Sequence, residues 1–323
     1  MKMQICTLAL ALLLVPAQDA LAQGAPYPSK PIRIISPFPP GGSVDTVARL
    51  VGIEITKPLG QQIVVDNRSG ASGNIGTELA KNAPPDGYTL LLNTLPLVTN
   101  QFLYSKVPYD PLTDFAPISL ISSSPSLLTV HPSLPARSVS ELLALARSKP
   151  GGLNYASAGP ATNPHIAGEL FNLLGKVNIV VIHFKGGGPG LTATISGETE
   201  VTFSNISETT PLVLAKRLRA LGVTSLKRAA VLRDVPTIAE AGLPGYEFVT
   251  WHALVAPRAT PPAVVATLSD KVRTTLRSPE TTQRFADRGL DVVASTSEEL
   301  SAHLKSEVQK WGRVIRERGM RAE

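Results

Sequence analysis

Ile32-Arg-Ile-Ile-Ser-Pro-Phe-Pro-Pro-Gly-Gly-Ser-Val-Asp45 is the stretch that decides how this chain folds. An apolar run of strand length stops at Ser36 and a turn rich in proline and glycine follows. Val44, Val47, Ala48, Val51 and Ile55 then recur with the period of a helix. Strand, loop and helix in that order form the repeating unit of a parallel sheet. Gly60 is placed to end the helix, and Pro58 is expected to break or distort its last turn.

The same alternation continues in both directions along the chain. Gln62-Ile-Val-Val-Asp66, Tyr88-Thr-Leu-Leu-Leu92, Asn178-Ile-Val-Val-Ile182 and Glu200-Val-Thr-Phe-Ser204 are further strand-length runs with helical patterns between them. This predicts an α/β fold with mainly parallel sheets flanked by helices. Ser138-x-x-Glu141 has the form of a capping box, and Thr260-Pro261 supplies a cap and a first-turn proline ahead of Val264 to Leu276. Leu300, Leu304, Val308, Trp311 and Ile315 mark the core-facing stripe of a last helix. Two long extended stretches stand apart: 117–130, with an interruption expected around Ser122 to Pro125, and 247–256. If both cross between lobes, they form a two-strand hinge.

A length of 323 residues with 43% hydrophobic and 17% charged residues fits two lobes with real cores, not a disordered or fibrous chain. Lys2, the apolar segment Ile5 to Val15 and Ala20-Leu-Ala22 predict a signal peptide over 1–22, cleaved after Ala22. The single cysteine, Cys6, falls inside it, so neither lipid anchoring nor thiol chemistry is expected of the mature chain. The expected location is the periplasm. The net charge of +6 is scattered among acids, which predicts a solvated basic surface that attracts anionic solutes and no nucleic-acid partner.

No catalytic pattern emerges. Ser157 has Tyr155 where a G-x-S-x-G elbow needs its first glycine, and Ser72 has Asn74 where it needs the last. His131, His165, His183, His252 and His303 form no close-spaced metal set, so neither a metal nor a cofactor is expected. An exported hydrolase is the weakest of the alternatives. The loop at 36–45 is either an anion seat at a helix start or a tight turn capped by Ser43, and composition alone leaves both open. Asp45 beside a bound carboxylate would repel it unless turned away. The loop 154–165 offers Ser157, Thr162 and Asn163 as uncharged hydrogen-bonding groups; His165 is expected to pack rather than bind. Phe184-Lys-Gly-Gly-Gly-Pro-Gly190 lacks a P-loop ending, and Lys185 is expected to be solvated.

Tyr27-Pro-Ser-Lys-Pro-Ile-Arg33, Pro37 to Thr46, Asp66-Asn-Arg-Ser-Gly-Ala-Ser-Gly-Asn-Ile-Gly76, Pro85-Asp-Gly-Tyr88, Tyr109 to Pro117, Lys185 to Pro189, Asp234 to Gly242 and Ala256 to Pro261 together resemble the Bug family. These are solute receptors of tripartite tricarboxylate transporters. The resemblance implies a two-lobed, type II periplasmic-binding-protein (Venus flytrap) fold, with lobe 1 from 23–124 and 247–323 and lobe 2 from 125–246. It implies a small organic carboxylate held by Phe38, Gly41, Gly42, Ser43, Ser157, Gly159, Thr162 and Asn163, with Thr94 and Asn205 as further contacts. The implied protein is a monomer whose partners are inner-membrane transporter subunits or, in a signalling role, a sensor kinase. Ser69 stands where a proline is usual, and Pro160 to Asn163 replaces a loop richer in serine and glycine.

Overall fold

The computed structural model describes residues 27–321; the signal-peptide segment and Cys6 lie outside them. The chain alternates as the apolar runs predict, through β1 (Ile32–Ser36), α1 (Ser43–Leu59), β2 (Ile63–Asn67), α2 (Asn74–Lys81), β3 (Thr89–Asn93) and α3 (Pro96–Leu103). After β4 (Phe115–Val130) and α4 (Val139–Ser148) come β5 (Asn154–Ser157), α5 (Asn163–Gly175), β6 (Val180–His183), α6 (Gly187–Ser196), β7 (Val201–Asn205), α7 (Ile206–Leu214) and β8 (Arg219–Val223). The chain closes with β9 (Val249–Pro257), α8 (Pro262–Leu276), α9 (Pro279–Ala286), β10 (Asp291–Val292) and α10 (Ser297–Arg318).

The strands run β2-β1-β3-β9-β4-β7-β5-β6 across one curled sheet, with β10 and β8 also on β4. Parallel pairing joins β1 to β2 and β3, and β5 to β6 and β7. Every pair that involves β4 or β9 is antiparallel. These two are the crossing strands. β4 pairs with β9 from Phe115 to Pro125 and then with β7 and β8 from Ser126 to Val130, so one strand belongs to both lobes. The return passes through Phe248, whose N–H donates to the Thr224 carbonyl (2.9 Å) before β9 begins.

Alternation along the central strands explains why the sheet is covered on both faces. Ile34, Leu90 and Leu92 pack in one core with Val44, Val47, Ala48, Val51 and Ile55 of α1 and with Leu268, Val272 and Leu276 of α8. Ile35 and Leu91 point the other way, into a core that continues through α3 and α10 to Tyr155, Phe171, Phe203 and Tyr246. All five residues of the α10 stripe join that second core, with Val308 partly buried.

Several local expectations are corrected. No break occurs at Ser122 to Pro125: β4 is continuous, with register shifts against β9 between Pro117 and Ser119 and between Leu120 and Ser122. Pro58 lies inside α1 without breaking it, and the helix ends at Gly60 (φ 65°), two residues beyond. Thr260 does not cap α8; the cap position is Pro261, and the buried Thr260 hydroxyl has no partner. Ser138 does accept the Glu141 N–H (3.1 Å), but Glu141 reaches back to the Arg137 N–H (2.7 Å) rather than to Ser138. The complete capping box lies at Thr296 and Glu299, ahead of α10.

Candidate functional site: a cleft at the strand ends

The loops after β1, β2, β3, β5, β6 and β7 all open on one cleft of about 860 Å³. The topology explains this: the set β1, β2, β3 and the set β5, β6, β7 run in opposite directions along the sheet, and their carboxyl ends meet at the middle of β4. There Asn93 of β3 is joined through Ala253 to Leu120, and Asn205 of β7 pairs with Ser126. One wall carries Pro37 to Val44, Ser69 to Gly73, Thr94 and Pro96. The other carries Ala158, Gly159, Thr162 to Pro164, Lys185 to Gly188, Phe203 to Asn205 and Glu208. Ser126 of β4 and Thr250 of β9 also line it, so the crossing strands contribute to the site.

Helices α1 behind Gly42, α5 behind Thr162 and α6 behind Gly186 begin in this cleft without a side-chain cap; so do α2 behind Gly73 and α3 behind Leu95, while α7 begins there capped by Asn205. Away from the cleft, α4, α9 and α10 are capped by Ser138, Ser278 and Thr296, and α8 is not capped by a side chain. A side-chain cap is typically worth about 1 kcal/mol, so α1, α5 and α6 forgo that stabilisation and leave first-turn N–H groups and positive dipole ends for another acceptor. Ser43 is the first residue of α1 and not its cap, which removes the basis of the capped-turn alternative.

Asp45 shapes the loop. It is 3% exposed, and its carboxylate accepts from the Gly41 N–H (2.9 Å), Arg49 Nε (3.0 Å) and Asn67 Nδ2 (2.9 Å). Gly41 adopts φ 83°, which turns its N–H back towards Asp45 at little cost for a glycine. Burial pushes the Asp45 carboxyl up, but the hydrogen bonds from Arg49, Gly41 and Asn67 and the Arg49 charge outweigh it and hold it below the ordinary carboxylate range. The negative charge is thereby turned away from an anion in the cleft.

On the opposite wall Ser157 is 1% exposed and does not line the cleft. Its hydroxyl donates to the Gly159 carbonyl (2.9 Å) and accepts the Gly159 N–H (3.2 Å), while Thr162 Oγ1 donates to the same carbonyl (2.7 Å). His183 Nδ1 lies 3.3 Å from Ser157 Oγ. The serine hydrogen is committed to Gly159, so this pair holds the loop and is not set up as a nucleophile and base. Beneath it, His165 packs as expected, 5% exposed, with Nδ1 accepting the Ala161 N–H (3.1 Å). Burial, then the neighbouring His183, pull its pKa down to about 4, while Glu169 opposes them.

Of the sequence-predicted positions, Phe38, Gly41, Gly42, Ser43, Thr94, Gly159, Thr162, Asn163 and Asn205 line the cleft together. Thr94 directs its hydroxyl to the Trp251 carbonyl (2.5 Å), and Asn205 caps α7 by accepting the Ser207 N–H (3.1 Å). Sequence reasoning missed Ser69 to Gly73, Ser126, Thr250 and Glu208, and it left Lys185 to solvent. The first of these had a signal: Arg68-Ser-Gly-Ala-Ser-Gly73 follows β2 as the other glycine-rich loop follows β1. Among the described residues no group of three or more potential metal ligands exists, and no helix is long and apolar enough to cross a membrane.

A curled α/β sheet with two crossing strands and a cleft at its strand ends defines a two-lobed periplasmic solute-binding protein. The particular kind follows from comparison with known proteins. Residues 47–320 match the model of the tripartite tricarboxylate transporter family receptor (TctC), and the chain belongs to that family. It is 34% identical to Protein BugT of Bordetella pertussis over 91% of this chain and 90% of that one. The R. palustris protein Rpa4515 with adipate superposes with a TM-score of 0.85 at 35% identity, covering 91% of this chain and 99% of that chain. MatC from Rhodopseudomonas palustris with bound malate gives 0.81 at 32% identity, covering 90% and 100%. The chain is thus a binding receptor of this family and not an enzyme.

Proposed function

We propose that this receptor captures a small organic carboxylate in the periplasm and presents it to the membrane subunits of a tripartite tricarboxylate-type transporter. The observation that carries this is the convergence of the uncapped starts of α1, α5 and α6, on opposite walls, upon one cleft that contains few charges. Phe38, Gly41, Gly42, Ser43, Gly159, Thr162 and Asn163 surround the carboxylate, directly or through water, with Thr94 and Asn205 further along the ligand. Ser157 acts through Gly159 and Thr162. Adipate in Rpa4515 and malate in MatC support a carboxylate as the ligand class.

In this account residues 23–124 with 247–323 move as one lobe against 125–246. A ligand touching both lobes favours the closed state. Residues 1–22 direct export and are removed, and the mature receptor works as a monomer. A thermal-shift screen against mono-, di- and tricarboxylates, amino acids and neutral solutes tests the reading. A ligand at about 100 times its Kd should stabilise the fold by about 2.7 kcal/mol, raising Tm by several degrees. Shifts with neutral solutes alone, or with no acid at all, would sink the carboxylate seat.

A further inference from the structure

Two charged side chains line the cleft, Lys185 and Glu208. Neither joins any ion pair found among the described residues, with the other or with a third group. Glu208 is the third residue of α7, after Ile206 and Ser207, and no donor among the described residues meets its carboxylate. Its Oε2 lies 3.6 Å from the point a Cβ on Gly187 would occupy, which places the acid beside the start of α6 and inside the ligand's space. Its side chain is exposed, while the protein packed around it pushes its carboxyl up. Asn163 lines the same cleft and holds its Oδ1 buried with no donor.

An unpaired acid in a cleft built from helix N-termini is at odds with a ligand that is anionic at both ends. Asp45, beside the cleft, is paired with Arg49 and hydrogen-bonded by Asn67; Glu208 has no ion-pair partner among the described residues and is offset only by the start of its own helix, α7. Its position suits a ligand that brings its own donor. We infer that Glu208 determines specificity at the far end of the ligand: the solute is a carboxylate whose other end carries an amine, and a second carboxylate is disfavoured. This rests on the carboxylate seat proposed above and adds the chemistry of the ligand's other end. Like charges brought together select against the wrong ligand as effectively as new contacts select for the right one.

The test is calorimetric titration of the receptor with two matched series. Hexanoate, 6-hydroxyhexanoate, 6-aminohexanoate and adipate differ only at the far end, as do butyrate, 4-hydroxybutyrate, 4-aminobutyrate and succinate. In the series whose length fits, the amino member should bind about tenfold or more tighter than the dicarboxylate. Glu208→Gln should erase or reverse that order, and Glu208→Asp should fall between. Apo melting temperatures would confirm that both variants fold. A dicarboxylate that binds wild type as tightly as its amino partner, with no change in Glu208→Gln, overturns the inference and leaves the carboxylate seat standing. So does a hydroxy or unsubstituted acid that equals the amino acid. If no member of either series binds, both the inference and the seat fall.

Discussion

Ser72 Oγ donates to the Pro160 carbonyl across the mouth of the cleft, 3.1 Å away and 88 positions along the chain. Each end is held. Tyr104 donates its hydroxyl to Ser72 Oγ (2.8 Å) and Asn100 Nδ2 donates to the Ser72 carbonyl (3.1 Å), while Ala161, next to Pro160, is fixed at φ 62° by its bond to His165. The two loops that face the ligand are thus tied directly to one another.

Removing this tie should open the cleft. One neutral hydrogen bond is worth about 1 kcal/mol net, so Ser72→Ala should weaken ligand binding about fivefold, mainly through faster dissociation. Small-angle scattering of the apo variant should give a larger radius of gyration than wild type. An unchanged radius together with an unchanged off-rate would show that the bond contributes nothing to closure.

Asp45→Asn tests the clamp on the loop that follows β1. The change removes the charge that Arg49 faces and some of the acceptor capacity that Gly41 and Asn67 share. Arg49 is 52% exposed, so the loss should be about 1–2 kcal/mol and not the several expected for a fully buried pair. Urea denaturation should report that loss, and titration should show weaker ligand binding because Gly41 and Gly42 are no longer held. Full affinity in a destabilised variant would mean that the clamp serves only the fold.

Stability should fall as pH is lowered from about 6.5 to about 4. Burial lowers His252, and burial together with His183 lowers His165, each from 6.5 to about 4. In that window the unfolded chain binds protons that the folded chain refuses, so the folded state loses stability as pH falls. The full effect is on the order of 3 kcal/mol per histidine. Asp45 adds a further loss only at lower pH, as its depressed carboxyl begins to protonate. His165→Gln keeps an acceptor for the Ala161 N–H but does not titrate, and melting curves from pH 4 to 7 should show a shallower dependence. An unaltered slope would remove His165 from the account.

Glu307 accepts both indole N–H groups of the protein, from Trp251 on β9 and Trp311 on α10, each at 2.7 Å. It is 8% exposed and fastens a crossing strand to the last helix. Glu307→Leu strands two buried donors, at about 1–3 kcal/mol each, so several kcal/mol of stability should disappear. Since both of the chain's 2 tryptophans bond to Glu307, tryptophan emission excited selectively over tyrosine reads this site. A variant with wild-type urea midpoint and emission would contradict the role assigned to Glu307.

Much of this was legible in the linear sequence because it depends on neighbours in the chain. Hydrophobic period set the strands and helices, and glycine and proline marked the loop between Ser36 and Ser43. The order of several short motifs pointed to the family. Nine of the predicted site positions meet in one cleft because each lies at or just after the carboxyl end of a strand, and those ends converge on the middle of β4 from opposite directions.

Only the tertiary structure decided the rest, since it depends on partners far along the chain. Ser122 and Ser124 read as a polar interruption, yet they and Ser119 are all buried within β4. The hydroxyls of Ser119, Ser122 and Ser124 are met by the Ser295 carbonyl, His252 and the Gly289 carbonyl, which lie 176, 130 and 165 positions away. A buried hydroxyl is tolerated in a central strand only when such a partner is supplied, and no local window can show whether it is. Ser157 read as a ligand contact and became the staple of its loop for the same reason. Glu208 showed no local signal at all: its meaning comes from the helix starts that the fold gathers around it.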